Sequence, residues 1–129
     1  MPTTVFLEYA RAIRAAVDSL TDSGDAVLVS VQVDQRSSVL GFIEGALQFR
    51  DDSRLTFREF IDTTQNEPRL MYAYHYQDAA QELVFRYDNA AHRPTLSQPP
   101  HKHTPAGIEA APMPTFAAVL DQIVQFLDS

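Results

Sequence analysis

The apolar positions near both ends of the chain recur at intervals of three and four residues, which is the period of an amphipathic α-helix. The N-terminal stripe consists of Val5, Phe6, Tyr9, Ile13, Ala16, Val17 and Leu20. We expect Thr3 or Thr4 to cap this helix and Ser23-Gly24 to end it. The C-terminal stripe consists of Phe116, Val119, Leu120, Ile123, Val124 and Leu127. Pro114-Thr115 precedes it, and both residue types are favoured where a helix begins.

Between these helices the apolar period changes to two, which is typical of β-strands with one buried face. Five runs follow this pattern and span residues 27–33, 39–49, 55–61, 70–76 and 83–87. The gaps between the runs are too short for crossover helices, so consecutive strands should pair antiparallel as a meander. The predicted fold class is α+β: a single domain over residues 1–129, in which N-terminal and C-terminal helices flank a five-stranded antiparallel sheet.

The alternation in the fourth and fifth runs predicts which side chains share a face. If Ala79-Ala80 is a two-residue hairpin loop, the pairs on one face are Tyr76 with Leu83, Tyr74 with Phe85, and Tyr72 with Tyr87. Both helices are expected to cover the four rings Tyr72, Tyr74, Phe85 and Tyr87, because amphipathic helices need an apolar sheet face. The opposite face would carry His75 across from Val84 and close to Arg86.

The composition of the chain narrows the classes of function. The 129 residues include no cysteine, which excludes a disulfide scaffold, a Cys-ligated zinc and a thiol nucleophile. No apolar run is long enough to cross a membrane, and the N-terminus lacks the pattern of a secretory signal, so we expect a cytoplasmic protein. The net charge of −7 has the wrong sign for a protein that coats nucleic acid nonspecifically.

One segment differs from the rest of the chain in charge, in histidine content and in proline content. Residues 86–103 carry three basic residues and one acidic residue, so the segment has a charge of +2 and the remainder of the chain −9. Three of the four histidines lie there, and six of the eight prolines lie in it or shortly after it. We therefore expect a histidine- and proline-rich functional loop over residues 88–113. The alternative is a polar linker to the last helix with no further role.

The residue types in this segment suit phosphate chemistry without a metal. The candidate catalytic residues are Arg86, Asp88, His92, His101, Lys102 and His103. His101 and His103 point the same way in an extended chain, so they can serve as general acid and general base. Arg86 and Lys102 can hold a phosphate, and Asp88 can orient a histidine or anchor a turn. The spacing does not separate this set from a metal site made of the three histidines His92, His101 and His103.

Three further residues can support this set. Glu59 stands where the alternation of residues 55–61 requires an apolar side chain, so it is either buried and paired with Arg86 or exposed at a strand edge. His75 would lie near Arg86 on the same face of the sheet. Asn89 directly follows the fifth run and either shapes a turn or supports the site.

The sequence from residue 69 to residue 105 resembles the TumE-like family of small bacterial toxins. In that family a strand ends in Arg and an aromatic residue, followed by Asp-Asn-Ala-Pro-His and, after a spacer, by Pro-His-His-Lys-His. The matching residues are Arg86, Tyr87, Asp88, Asn89, Ala90, His92, Pro100, His101, Lys102 and His103. The sequence departs from the pattern at Ala91, which replaces a proline, and at Pro99-Pro100-His101, which leaves one histidine missing.

The resemblance implies the toxin of a toxin–antitoxin pair that acts on RNA, with a partner antitoxin that carries a helix-turn-helix DNA-binding domain. Together with the histidines, it favours a ribonuclease that cuts within the RNA chain by histidine acid/base chemistry and needs no cofactor. Two alternatives stay open: a divalent metal held by the histidines, and a non-catalytic protein whose loop recognises an anionic ligand or a protein partner. A homodimer is compatible with the sequence. The acidic charge outside the segment should restrict RNA to a local site.

Overall fold

Two helices and seven strands make up the computed structural model, which describes residues 5–89 and 100–128. In chain order they are α1 (Phe6–Ser23), β1 (Ala26–Gln35), β2 (Leu40–Phe49), β3 (Arg54–Asp62), β4 (Arg69–Gln77), β5 (Leu83–Asp88), β6 (His101–Thr104), β7 (Gly107–Ala110) and α2 (Phe116–Leu127). Each strand pairs antiparallel with the next, so the sheet is one meander from β1 to β7. The predicted α+β class is confirmed.

The prediction of five strands was wrong, because β6 and β7 lie inside the segment that was expected to be the loop 88–113. β6 has the sequence HKHT, which contains no apolar residue and therefore no apolar alternation. Its residues are half-buried, and those of β7 are exposed, so neither strand requires an apolar face. Pairing with the backbone of β5 holds this hairpin in the sheet.

The ends of both helices follow from local residue types. Gly24 ends α1 with a φ of 84°, a left-handed conformation that glycine adopts without steric cost. Thr115 caps α2, as predicted, since its hydroxyl group accepts a hydrogen bond of 3.0 Å from a backbone N–H three residues later. The expected cap of α1 by Thr3 or Thr4 was wrong, because Val5 occupies the cap position and offers no side-chain oxygen. Neither α1 nor α2 combines the length and the apolar character needed to cross a membrane.

Both helices pack on the face of the sheet that carries the aromatic rings, as predicted. The exposed fractions of the four expected rings are 1% for Tyr72, 0% for Tyr74, 2% for Phe85 and 6% for Tyr87. Phe116 of α2 lies against Phe57 of β3, with 4.8 Å between the ring centroids. Phe6 of α1 approaches Gly41 of β2 so closely that a Cβ atom there would lie 2.2 Å from the ring. The helices therefore bury this face and leave the opposite one, which we call the outer face, without a helix.

The pairing of β4 with β5 differs from the predicted register by two residues. The observed pairs are Tyr74 with Tyr87, His75 with Arg86, and Tyr76 with Phe85. The predicted pairs Tyr72 with Tyr87, Tyr74 with Phe85, Tyr76 with Leu83, and His75 with Val84 were therefore wrong. A shift of two residues leaves every side chain on its original face, so the aromatic face survives while the partners change.

The turn between β4 and β5 explains this shift, because it is longer than the expected loop Ala79-Ala80. The Asp78 carboxylate accepts hydrogen bonds from the backbone N–H groups of Ala80 at 2.9 Å and Glu82 at 3.0 Å. Gln81 takes a positive φ of 67°, and a bulge in β4 follows Tyr76. An Asp that bonds backbone groups two residues on is typical of such turns.

Glu59 is buried under the helices, with an exposed fraction of 1%. Its predicted pairing with Arg86 was wrong, because Arg86 lies on the outer face. The hydroxyl group of Tyr9 in α1 donates to Glu59 Oε1 at 2.6 Å, and that of Tyr74 in β4 donates to Oε2. Burial raises the pKa of Glu59, although both hydroxyl groups act in the opposite direction.

Arg69 connects this carboxylate to the start of α2. Its Nη1 donates to the Tyr74 hydroxyl group at 2.9 Å and to the carbonyl oxygen of Pro114. Its Nε donates to Glu67 Oε1 at 2.7 Å. The network thus joins α1, β3, β4 and the residue before the α2 cap. Loss of one of its hydrogen bonds would leave a buried polar group without a partner, which lowers the free energy of unfolding.

Tyr74→Phe should lower the free energy of unfolding by about 1–3 kcal/mol, because Glu59 loses a donor and Arg69 loses an acceptor inside the protein. Tyr76→Phe is the matched control, since Tyr76 is also buried and its hydroxyl group donates to the neutral hydroxyl group of Ser53 at 2.7 Å. The free energy of unfolding of this control variant should fall by about 1 kcal/mol. Urea unfolding followed by circular dichroism measures both values, and equal losses would contradict a special contribution from the network.

Candidate functional site

Strand alternation and register bring five of the polar candidate residues together on the outer face. Arg86 and Asp88 point to this face because the aromatic residues that alternate with them point to the helices. His75 of β4 and His103 of β6 flank Arg86, and His101 of β6 pairs with Asp88. We call these five residues the outer-face cluster.

Asp88 lies at the centre of the outer-face cluster. Its side chain is 6% exposed, so the carboxylate is almost completely removed from water. Arg86 Nε donates to Asp88 Oδ2 at 2.9 Å, and His103 Nε2 lies 3.2 Å from the same oxygen. Within the described residues, this His103 nitrogen has no partner at hydrogen-bond geometry, so its contact with Asp88 is a close approach and not a hydrogen bond. The carboxylate thereby keeps a guanidinium and an imidazole next to each other.

His75 lies on the side of Arg86 away from β6. Its Nδ1 is 3.4 Å from Arg86 Nη1. Burial, and after it the positive charge of Arg86, lowers the pKa of His75. Because an imidazole in water has a pKa of about 6.5, the lowered pKa leaves this ring neutral at pH 7. A neutral His75 can accept a hydrogen bond from the guanidinium group and so help to orient it.

His101 and His103 share the outer face, as their spacing of two residues predicted. Their ring centroids are 6.3 Å apart, and the ring planes meet at 55°. Both residues are half-buried, so part of each side chain remains accessible to solvent. Two imidazoles at this separation can face opposite sides of one small group.

Lys102 lies on the other face of the sheet, and the structure therefore separates it from Arg86, contrary to the expectation that the two clamp one phosphate. Its Nζ lies 5.2 Å from the ring centroid of Tyr87 and 6.0 Å from that of Phe85. The cause is strand alternation, which sends residues 101 and 103 to one face and residue 102 to the other. Lys102 covers aromatic rings instead of reaching the cluster.

The remaining predicted residues are not part of the cluster. Asn89 extends the pairing of β4, since its Oδ1 accepts from the backbone N–H of Tyr72 at 3.0 Å and its Nδ2 donates to the carbonyl of Leu70 at 3.2 Å. Glu59 is separated from the cluster by the sheet itself. His92 lies outside the described residues.

The outer-face residues of β3 were not among the candidates from the sequence. Arg54, Thr56 and Arg58 alternate with the buried residues of this strand and are exposed. Thr56 pairs with His75, so β3 continues the face on which the cluster lies. A shallow cavity of about 390 Å³ lies beside the two arginines. The sequence could have predicted the position of these residues. The apolar alternation of residues 55–61 assigns the residues between the apolar ones to the face that no helix covers.

The outer-face cluster can bind an anion and move protons. The side chain of Arg86 is 36% exposed, so part of its guanidinium group can reach a ligand. Imidazole side chains are the groups that most often transfer protons in general acid–base catalysis. No group of three or more His, Asp or Glu side chains within residues 5–89 and 100–128 is arranged to hold a metal ion. The metal alternative also requires His92 and therefore stays a prediction.

Comparison with known proteins gives one match. The family model described as "Toxin TumE" matches residues 16–129, which include the whole outer-face cluster and all seven strands. No curated protein matches the chain, and no solved structure matches it.

Asp88→Asn should lower the free energy of unfolding by about 1–3 kcal/mol, because it removes a buried negative charge from Arg86 and His103. Asp34→Asn is the matched control: Asp34 also pairs with an arginine two residues away, Arg36, but both side chains are more than half exposed. The control should change stability by less than about 1 kcal/mol. Urea unfolding at neutral pH measures the free energy of unfolding of both variants. An equal loss in the two would show that burial of Asp88 does not hold the cluster together.

Proposed function

The chain belongs to the TumE family of toxins, and from that membership we propose that it is the toxin of a toxin–antitoxin pair. We propose further that its activity is the cleavage of RNA at the outer-face cluster. The observation that carries this proposal is the contact of Asp88 with both Arg86 and His103. A carboxylate next to both an imidazole and a guanidinium suits proton transfer beside a phosphate.

Metal-independent cleavage of RNA requires a base, an acid and a cation. In our assignment His103 removes the proton of a 2′-hydroxyl group, whose oxygen then forms a bond to the adjacent phosphorus. Asp88 balances the positive charge that His103 gains. His101 gives a proton to the 5′-oxygen as its bond to phosphorus breaks, so the products are a 2′,3′-cyclic phosphate and a 5′-hydroxyl group. Arg86 stabilises the additional negative charge on the phosphorane.

The geometry of the cluster supports these roles. The 6.3 Å between the centroids of His101 and His103 leaves space for a phosphate to approach both rings. His75 is a positioning residue in this assignment, because it contacts Arg86 and not the histidines of β6. His92 stays a candidate for proton transfer, whereas Lys102 has no place in the reaction because it faces the helices.

The proposed partner is an antitoxin with a helix-turn-helix DNA-binding domain, and the proposed substrate is RNA. With a net charge of −7, the protein has little general attraction for RNA, so recognition has to come from a local site. The outer-face cluster is such a site, since it combines Arg86 with three histidines. An antitoxin that covers this face would neutralise the toxin by blocking access of RNA.

His101→Ala and His103→Ala should each reduce RNA cleavage by about 10²–10⁴-fold if proton transfer limits the rate. Both variants should also stop the growth inhibition that follows induction of the wild-type protein. Glu109→Ala is the matched control, because Glu109 lies on β7 beside Lys102 and is exposed. It should retain both activities. Cleavage is measured with purified protein in excess chelator, and thermal melting verifies that each variant is folded.

Three outcomes would change this assignment. Cleavage that disappears with chelator would indicate metal binding by the histidines. Growth inhibition by both alanine variants would remove His101 and His103 from the activity. Growth inhibition by a wild-type protein that cleaves no RNA would indicate a non-catalytic toxin that binds an anionic ligand or a protein.

A further inference from the structure

Two arginines on the outer face have no carboxylate partner within the described residues. The arginines that do have one, at 3.2 Å or less, are Arg14, Arg36, Arg50, Arg69 and Arg86. Arg54 and Arg58 form no ion pair in the same part of the chain, although the protein has seventeen acidic residues. Both are exposed on β3, so their guanidinium groups are available to an anion from solution.

These arginines line the shallow cavity of about 390 Å³ on the outer face. Its wall also includes the polar side chains of Ser30 and Gln32 and one carboxylate, Glu44. Glu44 pairs with Arg58 in the strand register but forms no ion pair with it. The guanidinium carbon of Arg58 lies 5.5 Å from the ring centroid of Phe42, which supports one side of the planar group. The cavity therefore has an excess of positive charge and a guanidinium held by packing.

The cavity and the outer-face cluster belong to one continuous surface. Arg58 pairs with Ala73 of β4, and Ala73 pairs with Asp88 of β5, so a single methyl group separates the arginine from the centre of the cluster. β3 and β5 are two strand spacings apart, which is about 10 Å. Neighbouring nucleotides of one RNA strand can bridge that separation.

We propose that the cavity beside Arg54 and Arg58 is a second phosphate site, which holds a nucleotide next to the bond that is cleaved. This inference rests on the proposed cleavage of RNA and adds that the substrate is single-stranded and crosses the sheet from β6 to β3. Single-stranded RNA fits better than a duplex, because a few cations in one row can follow one backbone, whereas duplex recognition requires contacts across successive grooves.

The test compares binding of a tetranucleotide and a dinucleotide of mixed-sequence 2′-O-methyl RNA, which cannot be cleaved through the 2′-oxygen. The variant is the double substitution Arg54→Gln with Arg58→Gln, and fluorescence anisotropy measures the dissociation constant over a range of salt concentrations. The double variant should bind the tetranucleotide about tenfold more weakly. The logarithm of the tetranucleotide binding constant falls linearly with the logarithm of the salt concentration. The magnitude of this slope should decrease by about 0.7 for each lost phosphate contact. Binding of the dinucleotide should not change.

Arg11→Gln is the control for the loss of a surface arginine away from the cavity, and it removes one charge where the double variant removes two; Arg11 is an exposed residue of α1 with no ion pair in the described part of the chain. Tetranucleotide binding that falls equally in this control and in the double variant would overturn the second phosphate site. An equal loss for dinucleotide and tetranucleotide would also overturn it, since the arginines would then act at the cleaved bond. If the wild-type protein cleaves RNA, either result leaves the proposed function intact. A wild-type protein that neither cleaves nor binds RNA would overturn both proposals.

Discussion

Two carboxylates are buried among the residues that the structure describes, and each must be satisfied by donors because an unpaired charge away from water is very costly. Glu59 lies on the helix-covered face, and Asp88 lies on the outer face of the same sheet. Glu59 accepts hydrogen bonds from hydroxyl groups of α1 and β4, whereas Asp88 contacts the cationic side chain of Arg86 and the imidazole of His103. The same requirement therefore fixes a helix on one side of the sheet and assembles the candidate site on the other.

The outer-face cluster also depends on the register of three consecutive strands. His75, Arg86 and His103 lie in one row only because β4, β5 and β6 pair as they do. A slip of two residues between β4 and β5 would leave every side chain on its face and would still move His75 away from Arg86. The turn with Asp78 and the bulge after Tyr76 exclude that slip, although neither residue belongs to the cluster.

Hydrophobic periodicity predicts the parts of this fold that bury an apolar face, and it cannot predict the others. Both helices and strands β2 to β5 carry such a face, so their positions and the buried aromatic rings follow from the pattern. The alternation of valines also predicted the position of β1, but the burial expected for it was wrong, because Val27, Val29 and Val33 are exposed. β6 and β7 bury little, and the sequence HKHT contains no period that would reveal a strand. Without that strand, Lys102 cannot be assigned to the face opposite His101 and His103. The partners of Glu59 were likewise beyond prediction, because Tyr9 is fifty positions away in the chain and only the packing of α1 brings it near.

The two histidines of β6 lie on a hairpin that contributes little to the core, and such elements open more easily than the rest of a protein. β6 is held by its pairing with β5 and by a side chain on each face of the sheet. On the outer face His103 contacts the buried Asp88, and on the helix-covered face the Lys102 ammonium group lies over the ring of Tyr87. A cation over an aromatic ring contributes about 0.5–2 kcal/mol, which is substantial for a strand of four residues. Lys102 therefore supports the candidate site by keeping β6 in place, although its side chain lies on the face opposite the outer-face cluster.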